Sequence, residues 1–316
     1  MKSFCIPLTG LQTVRYFLTL IRIPNLLMTG IAIWFHWYYL LVIPLKTHGV
    51  SPSMSIADLI LLIFSFATMM AAGYILNDLF DIEIDRINKP LKQIVGNKIS
   101  MAVARGWMLI FFVLSFGSAT FLAIKFMKLP YLLFEPLAGL TLYFYSSVYK
   151  RKPLIGNIII AILCAMVIWL PFFAEKALVK SIGHLIYTHC LLAFLFCSIA
   201  AALYTLSREI VKTIQDHDGD QRFNLNTISI AWGKEKAASS AAILLLITDA
   251  VIFAFPYFVI LRHTASLYTS SLLIIPSFLP VFYLFTHRFE KIAFISTMIK
   301  LIMVMGIIAL PVLLSQ

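Results

Sequence analysis

The feature that most constrains this chain is a series of long apolar segments. The stretch from Ile56 to Leu76 contains no charged residue after Asp58. An α-helix needs about 20 apolar residues to cross the hydrocarbon core of a bilayer. Hydrophobic residues make up 61% of the 316 positions and charged residues only 12%, too few charges to cover a soluble surface. The sequence therefore predicts one all-α integral-membrane domain, residues 1–316, with nine transmembrane helices near 23–45, 56–76, 103–124, 130–149, 155–174, 185–206, 237–261, 267–286 and 292–314.

The positive charges indicate the orientation of these helices. Eighteen Lys and Arg residues fall on one side of the predicted membrane: Lys2, Arg15, Arg22, Arg86, Lys89, Lys92, Lys98, Arg105, Lys150, Arg151, Lys152, Arg208, Lys212, Arg222, Lys234, Lys236, Arg288 and Lys291. Six fall on the other: Lys46, Lys125, Lys128, Lys176, Lys180 and Arg262. Lys300 lies inside the last segment. Because short cytoplasmic loops are enriched in Lys and Arg, we expect a multi-pass protein of a bacterial inner membrane, with a cytoplasmic N-terminus. The net charge of +11 is spread over many loops, which does not favour nucleic-acid binding.

Two acidic segments follow predicted helices on the cytoplasmic side. The first reads NDLFDIEID at 77–85, and the second reads REIVKTIQDHDGD at 208–220. Together, residues 78–85 and 209–220 contain eight of the fourteen Asp and Glu residues of the chain. Asn77, Asp81 and Asp85 are spaced i, i+4, i+8, so a continuing helix would place them on one face. Asp216 and Asp220 repeat the i, i+4 spacing.

The spacing of these acids predicts cation binding. Like charges four residues apart destabilise a helix unless a counter-ion lies between them. Mg²⁺ takes oxygen ligands and often uses one or two carboxylates together with substrate phosphates. We therefore expect both segments to bind Mg²⁺ at the cytoplasmic mouth of a central cavity in the helix bundle, with a diphosphate bridging the ions.

The same segments resemble a known family. NDLFDIEIDRINKP is similar to the first aspartate-rich motif, NDxxDxxxD, of the UbiA-type intramembrane prenyltransferases, and REIVKTIQDHDGD followed by NTISIAWG is similar to their second, DxxxD. RIPN at 22–25 and YFYSSVYKRKPLIGN at 143–157 match further segments of the family. EIDRINKP is similar to the branch that makes digeranylgeranylglyceryl phosphate. The chain departs from that branch at Thr213 and Gln215, where an acidic pair is usual, and at Gln93 and Val95, where prolines are usual.

This resemblance implies transfer of a polyprenyl group, geranylgeranyl, from its diphosphate to a lipophilic acceptor, geranylgeranylglyceryl phosphate. The residues implied as catalytic metal ligands are Asp81, Asp85, Asp216 and Asp220, with Asn77 as an additional ligand. The residues expected to bind substrate are Arg22, Asn25, Asn77, Asp78, Tyr143, Tyr145, Lys150, Arg151, Lys212 and Arg222. Aromatic rings such as Tyr143 and Tyr145 would stabilise the allylic cation, and the basic run at 150–152 would attract an anionic acceptor head.

Three alternatives remain open at this level. The first is a different acceptor, an aromatic acid such as 4-hydroxybenzoate or a naphthoate, as in quinone biosynthesis, and the second is a chlorophyll-synthase-like esterification. A cation-coupled transporter would also use intramembrane carboxylates, but it calls for acids deep within the spans, whereas here they lie at the helix ends. His217 lies between the acids of the second segment and is a candidate base.

Overall fold

A computed structural model describes residues 10–88, 90–91, 93–259 and 263–314. Lys2, Lys89, Lys92 and Arg262, which entered the orientation argument, lie outside them. The described part is helical, and its only β-type pairing is an isolated bridge between Val95 and Ile99. The helices are α1 (Gly10–Leu20), α2 (Ile23–Trp37), α3 (Ile43–Thr47), α4 (Ile56–Phe80), α5 (Ile82–Asn88), α6 (Met101–Phe126), α7 (Leu129–Ser147), α8 (Ile155–Ile168), α9 (Leu170–Ser181), α10 (His184–Gln215), α11 (His217–Arg222), α12 (Ile228–Ala231), α13 (Lys234–Val259), α14 (His263–Phe285) and α15 (Ile292–Leu314). A π-helical turn, Tyr38–Val42, joins α2 to α3, and short 3₁₀ turns occur at Tyr149–Arg151 and Phe289–Lys291.

Six helical segments of the described residues are long and apolar enough to cross a membrane. They are Ile23–Thr47, Ile56–Phe80, Met101–Phe126, His184–Gln215, Lys234–Phe255 and Phe289–Ala309. Helices α8 and α9 give a seventh if they are counted as one span bent by 42°. The all-helical membrane architecture is thus confirmed, while the predicted count of nine is not. The other two predicted segments form α7 and α14, which contain internal prolines, and α7 also contains the buried Glu135.

The described residues form two compact units. The first unit comprises the described residues within 1–30, 56–151 and 218–225. Helices α4, α6 and α7 pack against one another in it. Their contact includes a polar link inside the apolar core, because Ser65 Oγ of α4 lies 2.8 Å from Glu135 Oε1 of α7 and 2.9 Å from the Ser115 carbonyl of α6, and its single hydroxyl proton is shared between these two acceptors. A buried carboxylate is tolerated when it is hydrogen-bonded, so this contact fixes the three helices relative to one another.

The second unit comprises the described residues within 31–55, 152–217 and 226–316. Helix α10 is its centre and packs against α8, α13 and α15. Small residues on α13, including Ala237, Ala238, Ala241 and Ala242, are almost fully buried there. Small side chains let helix backbones approach closely, which is how helices associate when lipid provides no hydrophobic driving force between them.

Candidate functional site

The first acidic segment continues the helical path beyond the end of α4. Asp81 lies at a bend between α4 and α5, yet its backbone N–H donates to the Asn77 carbonyl at 3.0 Å, and the Asp85 N–H donates to the Asp81 carbonyl at 2.8 Å. The i→i−4 hydrogen bonds therefore pass through the bend and keep Asn77, Asp81 and Asp85 in helical register. Asn77 Nδ2 donates to Asp81 Oδ2 at 2.9 Å, which joins the first two side chains directly.

A lysine in the 3₁₀ turn that follows α7 pairs with the same aspartate. Lys150 Nζ donates a hydrogen bond to Asp81 Oδ1, and both side chains are largely buried. Earlier in the sequence, α4 and α7 approach each other closely at Gly73 of α4. Gly73 has no side chain, and a Cβ at this position would lie only 2.8 Å from Leu142 Cδ1 of α7. Asp81 and Lys150 each follow that contact by eight residues, so α4 and α7 run parallel and in register. The sequence assigned Lys150 to the acceptor head; the structure adds that it pairs with a proposed metal ligand.

Arg22 and Asn25 also face the first segment. Arg22 lies between α1 and α2 with a φ of 55°, a left-handed conformation that interrupts the helix. Its guanidinium donates to Asp78 Oδ1 at 2.8 Å and stacks 4.5 Å from the centre of the Tyr74 ring. Asn25 Nδ2 donates to the Tyr74 hydroxyl at 3.2 Å. Tyr74 on α4 therefore positions the side chains of Arg22 and Asn25 beside the first acidic segment.

The second acidic segment is divided between the two units. Asp216 caps the C-terminal end of α10 and, like Lys212, belongs to the second unit. Asp220 lies in α11, is buried, and belongs to the first unit together with Asp81 and Asp85. The fold thus gathers carboxylates that are about 135 residues apart in sequence into one compact unit.

The remaining residues predicted to bind substrate differ in exposure and in the direction of their side chains. Tyr143 packs edge-on against Phe80, the last residue of α4, with ring centres 6.0 Å apart. Tyr145 is half-buried two positions further along α7, and two positions are about 200° of helical rotation, so the two rings point in different directions. Arg151 and Arg222 are exposed. All four residues belong to the first unit.

The donor set is suited to a hard cation that is shared with a ligand. Within the residues that the structure describes, no three His, Cys, Asp or Glu side chains are grouped closely enough to hold a metal ion alone. Asp81 and Asn77 instead offer one carboxylate and one amide side by side. Mg²⁺ usually takes one or two protein carboxylates and completes its shell with water and phosphate oxygens, so this sparse set fits magnesium bound together with a diphosphate.

Comparison with known proteins agrees with this geometry. The family model described as the UbiA prenyltransferase family matches residues 45–303. The chain belongs to this family. It is therefore a prenyltransferase and an integral, multi-pass membrane protein. Among curated relatives, the chain is 28% identical over 253 residues to the digeranylgeranylglyceryl phosphate synthase of Sulfurisphaera tokodaii, a match that covers 78% of this chain and 80% of the relative.

Solved structures of the family have the same fold. A digeranylgeranylglyceryl phosphate synthase structure matches with a TM-score of 0.67 at 24% identity, covering 95% of this chain and 98% of the other. A UbiA homologue from Archaeoglobus fulgidus, bound to DMAPP and Mg²⁺, matches with a TM-score of 0.59 at 19% identity, covering 91% and 98%. The resemblance inferred from the two acidic motifs is confirmed at the level of family and fold.

Sequence reasoning missed Tyr74 and Gln93. Tyr74 lies within an apolar helix, so nothing local distinguishes it from packing, although its position three residues before Asn77 is a usable signal. Gln93 was noted only as a departure from a family proline. Its side-chain Nε2 donates to the Ile82 carbonyl of α5 at 2.8 Å and ties the following loop to the first segment.

Proposed function

We propose that this protein transfers a geranylgeranyl group from its diphosphate to geranylgeranylglyceryl phosphate. The observation that carries the proposal is the Asn77–Asp81–Lys150 arrangement, in which a carboxylate lies between an amide and an ammonium group at the end of a membrane helix. Oxygen ligands for Mg²⁺ beside a buried cation are what a diphosphate leaving group requires. The acceptor is inferred from the relatives, which carry the name digeranylgeranylglyceryl phosphate synthase.

The protein groups have distinct roles in this proposal. Asp81, Asp85, Asn77, Asp216 and Asp220 would hold Mg²⁺, which when bound would neutralise the diphosphate and the charge that develops as it leaves. This set is compatible with the UbiA homologue bound to DMAPP and Mg²⁺.

The basic and aromatic side chains complete the site. Lys150 and Arg22 bind diphosphate oxygens, Arg22 through a planar guanidinium already oriented by Tyr74. Lys212 and Arg222 add phosphate contacts, and Arg151 attracts the anionic head of the acceptor. Tyr143 and Tyr145 provide electron-rich faces to the allylic cation as the carbon–oxygen bond breaks.

The reaction ends on the acceptor hydroxyl. Its oxygen attacks C1 of the geranylgeranyl group, the new ether bond replaces the bond to the diphosphate, and the hydroxyl proton leaves to water or to the released diphosphate. A strong protein base is not required, because an oxygen bonded to a carbocation loses its proton readily. His217, whose Nδ1 lies 3.4 Å from Ser229 Oγ, has no assigned part in this scheme.

The membrane topology is part of the same proposal. We infer nine spans in one domain, with α7, the bent α8–α9 pair and α14 as the three that fall short of a simple straight apolar helix. The N-terminus and both acidic segments lie on the cytoplasmic side, where a central cavity opens. Support comes from the excess of Lys and Arg on that side.

The test is an acceptor panel. Purified protein in nanodiscs receives Mg²⁺, labelled geranylgeranyl diphosphate, and geranylgeranylglyceryl phosphate, 4-hydroxybenzoate or a naphthoate in separate reactions. Label is expected in the glyceryl phosphate ether alone, and EDTA should abolish it. Label in an aromatic product but none in the ether would contradict the proposed acceptor while leaving the reaction class intact.

A further inference from the structure

Helix α1 precedes the first membrane-spanning segment and is too short to cross a membrane itself. Its 11 residues extend for about 16 Å, roughly half the thickness of the hydrocarbon core. Arg22, in its left-handed conformation, separates α1 from the segment that begins at Ile23. Helix α1 is therefore not a continuation of that segment, and its position relative to the bilayer depends on its own faces.

One face of α1 packs against the first unit. Leu20 is fully buried in a cluster with Ala71 and Ile75 of α4. Tyr16 and Phe17 pack against the same cluster. Ala71 and Ile75 lie in the last three turns of α4, within about 14 Å of the helix end that leads into the first acidic segment. Helix α1 is thus held near the membrane edge at which the proposed site lies.

The rest of α1 presents two exposed stripes that differ in polarity. Residues spaced i, i+3, i+7 share one helix face, and a shift of one position turns that face by about 100°. The first set, which we call the apolar stripe, has side chains that are 88%, 57% and 42% exposed: Leu11, Val14 and Leu18. The second set, the polar stripe, has the same spacing one position later and is also exposed: Gln12, Arg15 and Thr19.

The apolar stripe adjoins a lipid-facing surface. On a helical projection Phe17 lies about 60° from Val14, at the edge of the packed face that is nearest this stripe. The Phe17 ring centre is 4.8 Å from that of Trp107 on α6, and Trp107 is itself 39% exposed. Val103 and Ile110, about one turn to either side, are exposed as well. Exposed apolar side chains of a membrane span face lipid, and Trp is enriched where lipid meets water, so the apolar stripe continues the lipid-facing surface of α6.

The polar stripe adjoins a polar loop. Tyr16 lies about 40° from Gln12, at the other edge of the packed face. The Tyr16 ring centre is 5.8 Å from Lys98 Nζ, in the loop that follows the first acidic segment. Asn97, beside Lys98, is exposed. A helix with one face toward acyl chains and a basic polar face toward water lies in the plane of the membrane interface, and α1 has both faces on the sides where its neighbours require them.

We propose that α1 is an in-plane anchor, with its apolar stripe among the acyl chains of the cytoplasmic leaflet and Arg15 against headgroup phosphates. The anchor also positions Arg22. The Arg22 backbone N–H donates to the Thr19 carbonyl at 3.1 Å, which ties it to the last turn of α1, while its guanidinium contacts Asp78 and Tyr74. Lipid contact at α1 therefore helps to hold this guanidinium beside the first acidic segment. This second step rests on the proposed function, in which Arg22 binds diphosphate, whereas the anchoring does not.

A depth measurement tests the anchor. A nitroxide is attached through p-acetylphenylalanine at each of the six stripe positions in turn, in the full-length protein in phosphatidylcholine nanodiscs, with all native cysteines kept. The apolar stripe should be accessible to oxygen and the polar stripe to a water-soluble nickel chelate, so the two accessibilities alternate with the helical period. Nickel access to both stripes would place α1 in water. Exclusion of both reagents from the apolar stripe would show that protein, such as a second copy of the chain, covers it. Either result would refute the anchor.

Two matched charge substitutions test the positioning of Arg22. Val14→Glu puts a carboxylate in the apolar stripe, and Gln12→Glu puts one in the polar stripe of the same turn. With saturating acceptor, Val14→Glu should raise the KM for geranylgeranyl diphosphate by about three- to tenfold with a smaller change in kcat, because a charge-assisted contact from Arg22 to phosphate is weakened. Gln12→Glu should change neither value more than about twofold. If Val14→Glu does not fold, Leu11→Gln, a milder change in the same stripe, should raise the same KM. An unchanged KM in the stripe variants, or an equal rise in Gln12→Glu, would refute the positioning of Arg22.

The nitroxide measurement separates the anchor from the proposed function, because it requires no turnover. The expected accessibility pattern in a protein that transfers no label to geranylgeranylglyceryl phosphate would refute the proposed acceptor and leave the anchor standing. Full transfer to that acceptor with nickel access to both stripes would refute the anchor and leave the proposed function standing.

Discussion

Lys150 Nζ donates a hydrogen bond to Asp81 Oδ1 across 69 residues of sequence, from the turn that follows α7 to the bend that follows α4. The contact depends on the parallel, in-register packing that Gly73 and Leu142 establish eight residues earlier in each helix. It places a buried ammonium group against the carboxylate most central to the first acidic segment. This pair supports the first two predictions below.

Asp81→Asn should reduce turnover by about a hundredfold or more, because an amide cannot supply the charge that binds the metal. The measurement is label transfer at several Mg²⁺ concentrations. Glu83→Gln is the matched control two residues away, since Glu83 is exposed and pairs with Arg86; it should behave as wild type. Equal activity of Asp81→Asn and Glu83→Gln would remove Asp81 from the metal site.

Lys150→Gln should raise the KM for geranylgeranyl diphosphate and lower kcat, since a buried cation beside Asp81 is lost. Arg151→Gln removes an exposed charge at the adjacent position that is assigned to the acceptor, so at saturating acceptor it should change neither value more than about twofold. Steady-state kinetics at saturating acceptor concentration measure both. If Arg151→Gln proved the more damaging change, the structural assignment of Lys150 would be wrong.

Tyr74→Phe keeps the ring under Arg22 and removes only the hydroxyl that accepts from Asn25. We expect a loss of about threefold to tenfold in kcat/KM, the effect of one hydrogen bond. Tyr74→Leu also removes the aromatic face and should cost more, because the guanidinium loses its cation–π contact. Indistinguishable kinetics for the two variants would show that the ring does not position Arg22.

Glu175→Gln should destabilise the protein by about 2 kcal/mol. Its buried carboxylate accepts from Ser53 N and Ser53 Oγ at 2.9 and 2.8 Å and from Met54 N at 2.8 Å, and an amide turns an NH₂ group toward one of these donors. Thermal unfolding in nanodiscs measures the change. Glu290→Gln, an exposed glutamate 3.9 Å from Arg288, should leave the Tm unchanged. A Tm for Glu175→Gln within 1 °C of wild type would contradict the assignment.

Gly73→Ala should lower the Tm modestly, because its Cβ would meet Leu142 Cδ1 and this end of the leucine side chain must turn out of its packed position between α4 and α7. Gly106→Ala is the control, since a Cβ there meets nothing within 4 Å; removing a helix-interior glycine should leave activity unchanged and stability equal or slightly higher. A Tm for Gly73→Ala equal to or above that of Gly106→Ala would show that α4 and α7 are not tightly packed at Leu142.

The sequence determined the features that depend on local composition and spacing. Long apolar runs required helices, because only a helix satisfies its own backbone hydrogen bonds in lipid. The i, i+4 acids required one helical face, and Asp81 and Asp85 keep that register through the bend at Asp81. The two acidic motifs were specific enough to identify the family. The count of nine spans was less secure, because prolines and a buried glutamate make α7 and α14 ambiguous by composition.

Tertiary structure decided the pairings that join distant parts of the chain. Lys150 looked like one of three equivalent positive residues, and only packing against α4 distinguishes it from Arg151. Tyr74 looked like any aromatic in a membrane helix until Arg22 and Asn25 met it. Side-chain spacing fixes which residues share a helix face, but which faces meet depends on close packing of whole helices, which a linear pattern does not encode.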